Sequence, residues 1–112
     1  MDLAEFCDQL TSNFPDSEPF GLISQIRRCG VSIPANIAEG HGRKSTGAFL
    51  NHLSIANGSM MELETHILLG QRLSLVDESK TADLLERSAE AGRMLNGLIR
   101  SLRDNHPRTT DS

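Results

Sequence analysis

The chain has 112 residues, a formal net charge of −4, four Phe, and neither Trp nor Tyr. That length supports one domain with a single modest core, and Leu, Ile, Met and Ala, which must fill it, are helix-bundle residues. The acidic balance excludes a molecule that is basic throughout, as dedicated nucleic-acid binders are.

No stretch alternates β-branched and polar residues over a useful length, so the expectation is all-α. The first helix is expected at about Asp2–Asn13 and ends at "FPDSEPF", where two prolines break it. The second is expected to start near Pro19, a residue suited to a first turn, and to stop at Gly40, a natural left-handed C-terminal residue. Within it, Pro34 has no N–H for the carbonyl of residue 30. Gly30 leaves the backbone room to bend, and the Ser32 hydroxyl stands near the freed carbonyl. The expectation is one helix kinked at Gly30–Pro34; the competing reading is a break at Ile33.

Ser45 is the expected cap of the third helix, although Ala48 occupies the place where a capping box has Glu. From Phe49 the positions Leu53, Ala56, Met60, Leu63, Ile67 and Gly70 advance by alternating four and three, a heptad seam. After "LVDES", Leu84, Ser88, Ala91, Leu95, Leu98 and Leu102 repeat that spacing in a fourth helix. The expected architecture is an antiparallel up-down four-helix bundle with a short first helix, spanning residues 1–103. The polar tail of residues 104–112 is expected to be disordered.

Helical projection separates two faces of the second helix. Ile23, Ile26, Gly30, Ile33 and Ile37 form the core side; Gln25, Arg28, Ser32, Asn36 and Glu39 gather opposite. The third helix is apolar nearly all round: Ile55, Leu69 and Leu73 lie opposite its seam, and Leu50, Met61 and Leu68 lie on one flank. A small bundle covers one side of each helix, so the remainder implies a homo-oligomer. The competing reading of the polar face is a solvated surface.

The runs "QIRRCGVSIPANIAEGHGR" and "FLNHLSIANGSMMELETHILLGQRL" resemble the bacterial 23S rRNA intervening-sequence protein family, also described as four-helix bundle proteins. That family is related to the accessory variability determinant of diversity-generating retroelements. The resemblance extends from about Phe14 to Leu102, with its specific core between Gln25 and Leu69. It implies a left-handed four-helix bundle assembling as a ring, typically a pentamer. It also implies an interface motif comprising Gln25, Arg28, Ser32, Asn36, Glu39 and Gly40, then Ser59, Glu62, Glu64 and Leu69. Relatives begin with a longer first helix bearing Trp, which this chain lacks.

Candidate chemistry is sparse. Glu62, Glu64 and His66, with His52 and His41 as helpers, would be the starting point of an enzyme or metal site. The Glu-x-x-His spacing of bundle carboxylate sites is absent, because Thr65 stands where it needs His. No nucleophile–base arrangement and no phosphate loop is recognisable; "EGHGRK" is too short and follows a helix. Cys7 and Cys29 match no metal or redox spacing and read as two reduced thiols. The expectations are no enzymatic activity, no metal and no cofactor.

Arg27, Arg28, Arg43 and Lys44 are the candidate contacts to structured RNA or DNA, strengthened by repetition around a ring. The alternative function is a protein-interaction scaffold without a nucleic-acid role. The N-terminus "MDLAEFCDQL" has acids where a signal peptide needs lysines, and no apolar run reaches the ~18 residues of a membrane span. The expected location is the cytoplasm, without a membrane partner.

Overall fold

A computed structural model describes residues 3–18 and 20–105. It contains α1 (Leu3–Thr11), α2 (Leu22–His41), α3 (Thr46–Arg72) and α4 (Glu78–Asn105), and no strand among the described residues. None of these helices is long and apolar enough to cross a membrane.

α1 stops at Thr11, two residues before the expected end; Asp2 lies outside the described residues. The Thr11 hydroxyl donates to the Cys7 carbonyl at 2.8 Å and the Ser12 hydroxyl to the Gln9 carbonyl at 2.7 Å. The second of these satisfies a carbonyl that the ending helix leaves open; the first ties the Thr11 hydroxyl back onto the preceding turn. α2 begins at Leu22 rather than near Pro19, which lies outside the described residues. Gly21 takes a left-handed conformation (φ 64°) at its N-cap and offers no side chain. The Glu18 carboxylate supplies the acceptors instead, at 3.1 Å from the Phe20 N–H and 3.4 Å from that of Ile23.

α2 then runs unbroken through Pro34 to His41, which overturns the reading of a break at Ile33. The expected stop at Gly40 is also corrected: the C-cap is Gly42, at a right-handed φ of −81°. Gly40 is a buried helical residue, and a Cβ on it would lie 2.6 Å from His52 Cβ and 2.9 Å from Phe49 Cδ1. Its role is close approach of α2 to α3, not termination. Gly30 serves the same purpose toward α1, where a Cβ would meet Cys7 Sγ at 2.9 Å.

α3 starts as expected, with Ser45 Oγ accepting from the Ala48 N–H at 3.1 Å. Leu53, Ala56, Met60, Leu63, Ile67 and Gly70 are all buried, so the alternating spacing identified the core stripe. The helix closes in a Schellman motif: Leu75 N–H donates to Gly70 O at 2.8 Å and Ser74 N–H to Gln71 O at 3.0 Å. Ser74 holds the left-handed position at φ 62°. Asp77 caps α4, accepting the Lys80 N–H and the Ser79 hydroxyl, each at 2.8 Å. α4 runs to Asn105, while residues 106–112 of the expected tail lie outside the described residues.

Successive helices pack on each other, α1 on α2, α2 on α3 and α3 on α4. Cys7, Leu22, Ile26, Cys29, Leu53, Leu63, Ile67 and Leu84 form the dry centre. Phe14 and Val76 close one end of it over Gly70. At about 1.5 Å per residue, the nine residues of α1 cover only part of α2. Beyond it, Ile33, Ile37, Met60, Ala91, Met94, Leu95 and Leu98 line an open apolar groove of about 370 Å³. Leu98, expected in the seam, is 37% exposed there.

Candidate functional site

The polar residues of α2 and α3 meet along one seam. Gln25, Arg28, Ser32 and Asn36 recur every three or four residues, so helical geometry stacks them in a stripe on α2. His52, Ser59 and Glu62 form the facing stripe on α3. Close packing at Gly40 brings the two within hydrogen-bond distance.

At one end, Arg28 Nη2 donates to Gln25 Oε1 at 2.8 Å and to Glu62 Oε1 at 2.6 Å. The Cys29 thiol, buried beneath, donates to the same Glu62 oxygen at 3.5 Å. In the middle, the Ser32 and Ser59 hydroxyls lie 3.0 Å apart. At the other end, Asn36 Nδ2 donates to the Ser32 carbonyl at 2.9 Å, and Asn36 Oδ1 accepts from His52 Nδ1–H at 3.1 Å. That bond selects the Nδ1-protonated tautomer of His52.

Electrostatics follow the contacts. The hydrogen bond from Arg28, then that from Cys29, holds the Glu62 carboxyl below the usual carboxylate range. Burial, then the bond to Glu62, pushes the Cys29 thiol up to about 11. Burial likewise pushes Cys7 up to about 11. The Arg28 and Glu62 side chains are 54% and 51% exposed, so their ion pair adds little stability through charge alone.

The remaining candidates lie elsewhere. Glu64 turns toward α4 and accepts the Ser88 hydroxyl at 2.6 Å. Leu69 packs partly buried against the core. Glu39 pairs with Arg43 at 2.9 Å across one turn. Arg27 points at α1, where its Nε donates to Thr11 Oγ1 at 2.9 Å and lies 3.4 Å from Asp8. Lys44 is exposed in the connection before α3. Arg27 and Arg28 therefore stand about 20 Å along the helix axis from Arg43 and Lys44, and the three arginines each face a carboxylate of their own chain. Pro34 is exposed, whereas Gly30 is buried under α1.

Cys29 was missed as a site residue. Its spacing in α2 marks it as core, and only the register between α2 and α3 reveals that it sits under Glu62. With His66 one turn further on, the donor atoms of Cys29, Glu62 and His66 lie within 4.8 Å of one another, the one such group among the described residues. Outside the seam, Ile55, Met61 and Leu68 on α3 and Val31 on α2 are 45–62% exposed.

No curated protein matches the chain. A crystal structure of a protein with unknown function from the S23 ribosomal protein family of Bacteroides thetaiotaomicron VPI-5482 is similar to it. The two are 27% identical with a TM-score of 0.77, over 87% of this chain and 91% of that one. The profile described as 23S rRNA-intervening sequence protein matches residues 1–97, spanning α1 to α3, the whole seam and most of α4. The chain belongs to the 23S rRNA-intervening sequence protein family.

Proposed function

We propose that this chain is a non-enzymatic assembly module of the cytoplasm, an antiparallel up-down bundle bent at Pro34 that associates into a homo-oligomeric, pentameric ring. The observation that carries the reading is the exposure of Met61 (62%), Leu68 (46%) and Ile55 (45%) on a helix whose opposite stripe is already buried. Large apolar side chains left exposed on two sides of a helix outside a filled core mark an interaction surface. A closed ring covers such a surface on every copy.

The ring's role on this reading is to present surfaces to a protein partner. Contact with structured RNA or DNA, expected from Arg27, Arg28, Arg43 and Lys44 and from the kinship with the retroelement accessory protein, is the weaker reading. Three of those four cations are engaged within the chain, and the four are dispersed. Sedimentation equilibrium near neutral pH tests the assembly: the expected mass is several times 12.3 kDa, and a monomer at micromolar concentration overturns it. Binding to structured RNA by the intact oligomer at about 50 mM salt, falling steeply as salt rises, would instead favour the nucleic-acid reading.

A further inference from the structure

Three side chains with metal-ligating atoms converge at the outer edge of the α2–α3 seam. Cys29 comes from α2, while Glu62 and His66 stand one turn apart on α3; their donor atoms lie within 4.8 Å of one another. We propose that Cys29, Glu62 and His66 form a binding site for a zinc-type divalent transition-metal ion, with solvent as the fourth ligand. It goes beyond self-assembly and does not depend on it.

The donor set selects the ion. Calcium and magnesium take oxygen ligands and leave a thiolate unused, whereas zinc accepts sulfur, imidazole nitrogen and carboxylate oxygen together. Zinc bonds of about 2.0–2.3 Å place tetrahedral ligands roughly 3.3–3.8 Å apart. Side-chain rotation of about 1 Å therefore closes the shell without moving either helix. The backbone is prepared for it, since residues four apart on a helix share one face, and the packing of α2 on α3 fixes Cys29 beneath them.

The surroundings also fit. Arg28 and Cys29 both contact Oε1 of Glu62, which leaves Oε2 for an ion. Arg28 is itself held by Gln25 at 2.8 Å, so it anchors the carboxylate in the way outer-shell partners orient metal ligands. Its positive charge opposes an ion attracted by charge alone. That favours one that forms a strong bond to sulfur. Glu62 is exposed and His66 half-buried, which gives an entry path, while Cys29 below is shielded from solvent.

The test uses the tag-free full chain, reduced and titrated with Co²⁺ and then Zn²⁺. The expected result is one Co²⁺ per chain with a near-ultraviolet thiolate-to-cobalt band, displaced by Zn²⁺. Cys29→Ser should lose the band, and Cys7→Ala should keep it. His66→Ala and Glu62→Gln, both at accessible positions, should weaken Zn²⁺ binding by at least about 10–100-fold, the cost of losing even an outer-shell partner, with an unchanged far-ultraviolet circular dichroism spectrum. The proposal is overturned if the wild-type chain shows no thiolate band at micromolar metal, or if the band survives Cys29→Ser. Should Cys29→Ser not fold, unaltered Zn²⁺ affinity in both His66→Ala and Glu62→Gln overturns it equally.

Discussion

Gly40 and Gly97 are both helical glycines, yet substitution should act on them in opposite directions. A Cβ at Gly40 would press on His52 Cβ at 2.6 Å, and that atom cannot swing aside as a side-chain tip can. Gly40→Ala is expected to destabilise the chain by about 1–3 kcal/mol. Gly97 has nothing within 4 Å of its Cβ direction, so Gly97→Ala gains helix propensity and serves as the control; urea denaturation reads both. Asn36 is tied at both ends of its amide, to Ser32 and to His52. Asn36→Leu removes the acceptor of the His52 Nδ1–H and should cost about 1–3 kcal/mol of fold stability in the same assay. Cys7 gives a pH signature. Its thiol is pushed up from 9.0 to about 11, so over that window the native state holds a proton that the unfolded chain releases. Stability from this source is complete below about pH 9 and falls as pH rises toward 11. The urea midpoint should decline over that range, and less steeply in Cys7→Ala; equal slopes would assign the decline to other groups.

Helix ends explain why α2 and α3 have the lengths they do. α3 ends in a Schellman motif whose left-handed position is filled by Ser74 at φ 62°, a conformation that glycine adopts without strain. Ser74→Gly removes a cost of roughly 1 kcal/mol and should raise the thermal midpoint. An unchanged midpoint would show that the larger backbone entropy of glycine in the unfolded chain offsets the relief. α2 shows the opposite case at its internal glycines, Gly30 and Gly40, which serve packing, while the C-cap Gly42 holds an ordinary right-handed conformation. Gly30 admits Cys7 of α1 and Gly40 admits His52 of α3, so α2 is the stave on which both neighbours close in.

The molecule is a rod of 51 × 22 × 21 Å with a radius of gyration of 15.9 Å, against about 13 Å for a compact chain of this length. A rod about two helices wide cannot cover both sides of α3, which leaves Met61 and Leu68 in solvent. Replacing both by Glu places charges where the proposed subunit contact lies. Met61→Glu with Leu68→Glu should lower the sedimentation mass toward 12.3 kDa while the helical circular dichroism spectrum is retained. Retention of the wild-type mass would move the contact elsewhere, for instance to the groove lined by Met94 and Leu98.

Helical period and capping chemistry are local, and they determined the all-α class, the Ser45 cap and the buried stripe from Leu53 to Gly70. They also grouped Gln25, Arg28, Ser32 and Asn36 on one face, because a helix of 3.6 residues per turn admits no other arrangement. What that face touches depends on the register between α2 and α3, and no spacing within either helix encodes it. Only the tertiary structure pairs Asn36 with His52, Glu64 with Ser88, Arg27 with Thr11 and Arg28 with Glu62. Gly40 shows the limit most plainly. In sequence, a glycine after an apolar run signals a helix end; in space, its missing Cβ is what lets His52 and Phe49 approach. Cys29 was hidden for the same reason, since a thiol at a core position gains a carboxylate and an imidazole as neighbours only when a second helix packs over it.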